Sequence, residues 1–176
     1  MKRIVVVGFF CLVLLAAAAS GDPRRGLVLT DLGGEKVYVD SLLVTGPVVL
    51  NFWATWCRPC RIEMPHLQRI YTELEPAGVH FAAVSLDQAK HIPKVKEYVS
   101  KQKISIPVYH DTDYALAKLF RVMGIPTTVL LDQDGEVHHR TRGYRPGDEV
   151  ILQKKIEALV KKAEAAAEEP SEEEEG

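Results

Sequence analysis

The chain has 176 residues, 47% hydrophobic and 26% charged, enough for one globular core. Twenty-two basic against 24 acidic residues give a formal net charge of −2. That balance supplies no electrostatic reason for a nucleic-acid partner.

The first twenty residues have the layout of a secretory signal. Lys2-Arg3 is a short positive region, Ile4 to Leu15 is apolar, and Ala16 to Ser20 is rich in small residues. Cleavage is expected near Ala19 or Ser20. The alternative is an uncleaved membrane anchor, for which the apolar run is short. Phe9-Phe10 ahead of Cys11 argue against a lipid-modified cysteine, and the lack of a polar face argues against a buried helix. Cleavage removes Lys2, Arg3 and Cys11. The remaining chain carries 20 basic and 24 acidic residues, a charge of −4, and only Cys57 and Cys60 as cysteines.

Residues 21–26 read as a linker, 27–163 as one domain and 164–176 as an acidic, disordered tail, almost all Glu from Glu168 onward. Within the domain, Leu27–Thr30 and Lys36–Val39 flank a Gly-containing turn and predict a β-hairpin. Val48 to Trp53 is nearly all apolar and predicts a strand buried on both faces. A helix follows, with Pro59 in its first turn, Pro65 inside it, a stripe of Leu67, Ile70, Tyr71 and Leu74, and an end near Pro76-Ala77-Gly78. Pro65 should kink it.

Next come a strand at Val79–Leu86 and a helix at Pro93–Lys101 with Val95, Tyr98 and Val99 on one face. Ile104–Tyr109 predicts a strand in which Pro107 marks a sheet edge or the strand's beginning. A short helix at Tyr114–Phe120 and a strand at Thr127–Leu131 follow. Gln133-Asp134-Gly135 then turns the chain into Val137–Thr141. The last helix opens at Pro146-Gly147-Asp148, with Val150, Ile151, Ile156, Leu159 and Val160 on its core face. This alternation predicts a mixed α/β sheet with helices on both faces.

Trp56-Cys57-Arg58-Pro59-Cys60 stands at the strand-to-helix turn after Trp53. Two cysteines at this spacing can close a small disulfide, or leave a thiolate where the helix dipole favours negative charge. As a staple such a pair restrains little chain entropy. It is also half of a zinc site, but no second ligand pair accompanies it. His138 and His139 are adjacent and point to opposite faces of a strand, and the six histidines read as surface residues. No metal and no cofactor is expected.

Phe52-Trp53-Ala54-Thr55-Trp56-Cys57-Arg58-Pro59-Cys60, with Gly124-Ile125-Pro126-Thr127-Thr128 and Gly143 downstream, resembles the thioredoxin superfamily. The N-terminal hairpin, the inserted αβ segment around 90–110 and Glu63-Met64-Pro65 narrow it to the exported TlpA/ResA-type thiol–disulfide oxidoreductases. The resemblance covers roughly residues 25–163. It implies a thioredoxin-like sheet, Cys57 as nucleophile and Cys60 as the more buried resolving thiol, paired as a redox-active disulfide. Arg58 adds positive charge beside Cys57. Pro126 resembles the family's cis-proline, whose loop packs against the disulfide and offers the backbone of Ile125 to a partner chain. Trp56, Arg58, Pro59, Ile125 and Pro126 would form the substrate-contacting surface.

Glu63 lies on the stripe that its helix turns inward, with Leu67 and no cation at i+4. Burial there would raise its pKa and let it carry a proton to or from Cys60; the alternative is a side chain that snorkels to solvent. Asn51 stands where thioredoxins carry a buried Asp and cannot titrate, which leaves Glu63 as the proton carrier.

These residues lead us to expect an exported enzyme, in the periplasm or on the outer face of the membrane, that reduces specific partner disulfides. The resemblance suggests apocytochrome c as one substrate and a membrane protein as electron donor. Contact with the membrane is expected only through an uncleaved N-terminal segment. Disulfide oxidase or isomerase activity, thiol peroxidase activity and a non-catalytic redox-switched binding module are the alternatives. Peroxidase chemistry wants Thr or Ser three residues before the cysteine, where this chain has Ala54.

Overall fold

A computed structural model of the chain describes residues 26–168. The expected export signal, most of the linker and the tail beyond Glu168 lie outside the described residues. Gly26, assigned to the linker, is tied to the domain by its N–H, which donates to the Asp40 carboxylate at 2.8 Å.

The strands are β1 (Val28–Asp31), β2 (Lys36–Tyr38), β3 (Val48–Trp53), β4 (His80–Ser85), β5 (Val108–His110), β6 (Thr127–Leu131) and β7 (Val137–Arg142). The helices are α1 (Val39–Leu43), α2 (Arg58–Leu74), α3 (Ile92–Gln102), α4 (Ala115–Leu119) and α5 (Asp148–Glu168). All seven strands form one sheet in the order β2-β1-β5-β4-β3-β6-β7. β4 runs parallel to β3 and β5 to β4, while the β1–β5, β3–β6 and β6–β7 pairs are antiparallel. β3 has neighbours on both sides and every one of its residues is buried, which is what its unbroken apolar sequence requires.

Side chains alternate across β3 and divide the core in two. Val49 and Trp53 face the layer built by α2, α3 and α5, which contains Leu67, Ile70, Val95 and Ile156. Val48, Leu50 and Phe52 face the opposite layer, where α1 and α4 contribute Val39, Leu43, Leu116 and Ala117. The predicted stripe of α2 is buried or packed against this core, joined by Met64, and the helix continues through Pro65 to Leu74.

One alternative is decided and three expectations are corrected. β5 lies between β1 and β4, so Pro107 marks the strand's beginning and not an edge. Of the expected 104–109 strand only Val108 and Tyr109 pair, and the ladder runs on to His110. Residues 39–43, partly assigned to the hairpin, form α1. On α5, Leu152, Ile156 and Leu159 are the buried residues, whereas Val150 and Ile151 are about half exposed.

The start of β3 approaches the start of β4 closely. A Cβ on Gly46 would lie 2.0 Å from the Gly78 carbonyl oxygen, which is backbone and cannot swing away. Gly46→Ala is therefore expected to lower stability by about 1–3 kcal/mol, as other overpacked sites do. Urea unfolding checks this as a lower midpoint with an unchanged slope.

Candidate active site

Ala54, Thr55 and Trp56 carry the chain from the end of β3 into α2. The Cys57 N–H donates to the Ala54 carbonyl at 3.1 Å, closing the turn. Cys57 itself is extended (φ −80°, ψ 105°) and caps α2, its sulfur accepting the Cys60 N–H at 3.2 Å. The two sulfurs form a disulfide with Cα atoms 5.3 Å apart. On reduction, the Cys57 sulfur sits at the positive end of the α2 dipole, the place that favours a thiolate.

Cys60 is 1% exposed and Cys57 4%, so both sulfurs are nearly closed to solvent when oxidised. Trp56 is 65% exposed beside them. Arg58 and Pro59 are exposed in the first turn of α2. Ile125 packs against the core cluster that holds both cysteines, and the Ile125–Pro126 bond is cis, as the resemblance implied. The Gly143 N–H donates to the Pro126 carbonyl at 2.7 Å, which anchors this loop to the end of β7. Met123, two residues before Ile125, is 78% exposed and was not anticipated from sequence.

Glu63 lies on α2, one turn beyond Cys60, and is only 5% exposed, which excludes the snorkelling alternative. It is not without partners. Asn51 Nδ2 donates to one carboxyl oxygen at 2.9 Å and Thr128 Oγ1 to the other at 3.2 Å; Asn51 Nδ2 also donates to Thr128 Oγ1 at 2.9 Å. Asn51 and Thr128 face each other across the β3–β6 ladder. Burial pushes the Glu63 pKa up to about 7, despite these two hydrogen bonds to the charged form. The Asp148 and Glu149 carboxylates push the same way. Glu149 is held below the usual carboxylate range by backbone N–H donors. It accepts the Gly147 N–H at 2.9 Å and the Tyr144 hydroxyl at 3.0 Å.

The cluster can serve either protonation state of Glu63. Asn51 Oδ1 is buried with no partner. Turning the amide over presents that oxygen to a protonated Glu63, and the Thr128 hydroxyl can donate or accept. Thr128 is thus a site residue that the sequence reading passed over. Its signal was a hydroxyl on a fully buried strand. Asp87 is a second such residue, buried after β4 and bonded to Thr55.

The histidines are less exposed than predicted: His91 and His138 are exposed and the other four half-buried. Among the described residues no group of three or more His, Cys, Asp or Glu could hold a metal ion, and no helix is long and apolar enough to cross a membrane.

Residues 21–140 match the AhpC/TSA family. The thiol-disulfide oxidoreductase ResA of Bacillus thuringiensis subsp. konkukian is 32% identical over 130 residues, 74% of this chain and 73% of that protein. ResA of Oceanobacillus iheyensis is 38% identical over 96 residues, 54% of this chain and 49% of that protein. Among solved structures, a Chlorobium tepidum protein assigned as the thiol:disulfide interchange protein DsbE has TM-score 0.71 and 28% identity, covering 80% of this chain and 96% of that one. A secreted Mycobacterium tuberculosis disulfide oxidoreductase homologous to E. coli DsbE has TM-score 0.64 and 25% identity, covering 78% and 99%.

Proposed function

Because the chain belongs to the AhpC/TSA family and is a thiol–disulfide oxidoreductase of ResA and DsbE type, we propose that its Cys57–Cys60 pair reduces specific partner disulfides. The Cys57 thiolate attacks one sulfur of the partner disulfide, forming a mixed disulfide and expelling the partner's other sulfur as thiolate. Cys60 then gives up its proton and attacks the Cys57 sulfur. This re-forms the Cys57–Cys60 bond and releases the partner's second thiolate, so two electrons pass to the partner. A dithiol donor, for which a membrane protein is proposed, must then return two electrons.

The observation that carries this reading is the disulfide capping α2, beside an exposed Trp56 and a buried Glu63. Glu63 serves as the acceptor of the Cys60 proton, its pKa near 7 being suited to taking and returning a proton at neutral pH. Trp56, Arg58, Pro59, Ile125 and Pro126 form the surface that the partner's chain meets. Residues 1–20 act as an export signal or anchor. The described similarity of a secreted relative agrees with an extracytoplasmic place for this chain. Apocytochrome c is the partner we propose to try first. Peroxidase chemistry is disfavoured by Ala54 and by the Thr55 hydroxyl, which donates to Asp87 at 2.8 Å.

The test is the reduction potential of the pair in the full chain, equilibrated in thiol redox buffers. A value around −250 mV or lower is expected for a reductase. A value of about −120 to −150 mV overturns the reducing direction and points to an oxidase or isomerase.

A further inference from the structure

Asp87 sits just past the end of β4 and is 1% exposed. Its carboxylate accepts the Thr55 N–H at 2.8 Å on one oxygen and the Thr55 hydroxyl at 2.8 Å on the other, with the Ser85 hydroxyl at 2.9 Å as a third donor. Ser85 in turn accepts the Asp87 N–H at 3.1 Å. All of these donors are neutral. The bonds fasten the middle of the turn that carries Cys57, two residues away, to the neighbouring strand. The same junction is held by the Leu86 N–H, which donates to the Trp53 carbonyl at 2.8 Å.

A loop could be tethered here by neutral groups alone. A buried acid does more, because both of its oxygens accept from Thr55 and so set a carboxylate against the turn, two residues before Cys57. We infer that Asp87 is a positioning residue for Cys57 that both fixes the Thr55 turn and lowers the reduction potential of the pair. A carboxylate on the Cys57 turn disfavours the Cys57 thiolate, hence the reduced form, so it makes the dithiol the better electron donor. Asp87 therefore opposes the α2 dipole and Arg58, which both favour the thiolate. The inference rests on the exchange chemistry proposed for Cys57 and Cys60, and it names a residue that sets its direction.

Other charged and titratable groups surround this end of the molecule. They are Arg58 and Glu63 on α2, Asp148 and Glu149 at the start of α5, Lys90 and His91 in the turn after Asp87, Tyr98 on α3 with its ring 5.5 Å from that of Trp53, and Tyr114, whose hydroxyl donates to the Leu86 carbonyl at 3.2 Å. They are unchanged in the two variants below, and the potential is read at a single pH.

The experiment equilibrates the wild-type full chain, Asp87→Asn and Thr55→Val with glutathione buffers at pH 7 and reads the fraction reduced. Asp87→Asn removes the charge and keeps the shape. It is expected to shift the equilibrium about tenfold toward the dithiol, which for a two-electron couple is about 30 mV upward. Thr55→Val removes one donor and leaves the carboxylate less compensated. Its shift is expected in the opposite direction, about threefold toward the disulfide. Loss of stability with both equilibria unchanged, or shifts of the same sign in the two variants, overturns the inference. If Asp87→Asn fails to fold, the sign of the Thr55→Val shift decides alone. A wild-type pair that does not exchange with glutathione refutes the proposed chemistry itself, a result distinct from either.

Discussion

Glu63→Gln is expected to stabilise the protein at pH 8 and to leave its stability nearly unchanged at pH 4. The carboxyl has an ordinary pKa of 4.5 when unfolded and about 7 when folded. Between those values the folded state binds more protons than the unfolded one, so stability falls as pH rises. The displacement corresponds to about 3 kcal/mol once both states are ionised. Glutamine keeps the shape, carries no charge and can be served by the Thr128 hydroxyl and the free Asn51 oxygen. It removes that slope. Urea unfolding at pH 4, 6 and 8 checks the prediction; parallel pH profiles for the two proteins refute it. The same change should slow the attack of Cys60 on the mixed disulfide by about a hundredfold near neutral pH, at the low end of general-base effects. Stopped-flow measurement of product release reads that step separately from the initial attack.

Glu63 could be found from sequence because helical periodicity put an acid on a stripe otherwise made of Leu67, Ile70 and Leu74. Its partners were harder to see. Asn51 is marked by its place before the cysteines. Thr128 contacts the same carboxyl only because β6 pairs antiparallel with β3 in a register that sets Thr128 against Asn51. Register across 77 residues of chain is not written in either strand alone. Asp87 lay deeper still: it follows a strand where polar residues are ordinary, and only the folded turn brings Thr55 to it.

The fold was most legible where one pattern was unopposed. The apolar runs of β3 and β6 match their strands residue for residue. α1 is five residues long, too short to show a helical period. On α5 the expected core face includes Val150 and Ile151 and leaves out Leu152. The buried positions Leu152, Ile156 and Leu159 recur at four and three residues, and Val150 and Ile151 fall off that stripe. The expected β5 is longer than the ladder because Ile104 and Ile106 are apolar for another reason. They pack against the α2–α3 layer and form no ladder.

Cys57→Ser is expected to abolish exchange, leaving the uncatalysed background, whereas Cys60→Ser should still attack but stall. Both variants should fold, because closing so short a loop contributes only about 2 kcal/mol in the chain-entropy model and serine nearly keeps the size of the cysteine it replaces in the core. The asymmetry follows from position. Cys57 caps α2 and meets the dipole directly, while Cys60 is inside the first turn and more deeply buried, where a partner's disulfide cannot reach it. Without Cys60 nothing attacks the Cys57 sulfur of the mixed disulfide, so a covalent adduct with a model disulfide protein should accumulate. Non-reducing electrophoresis and intact mass would show one partner bound per chain, released by dithiothreitol. Adducts that form on Cys57→Ser but not on Cys60→Ser would reverse the two roles. If the wild-type protein carried no turnover and only its affinity for a partner changed with redox state, the pair would be a switch for binding and not a catalyst. Turnover of a model disulfide separates these cases: a catalyst reduces it repeatedly, whereas a switch consumes at most one equivalent per chain.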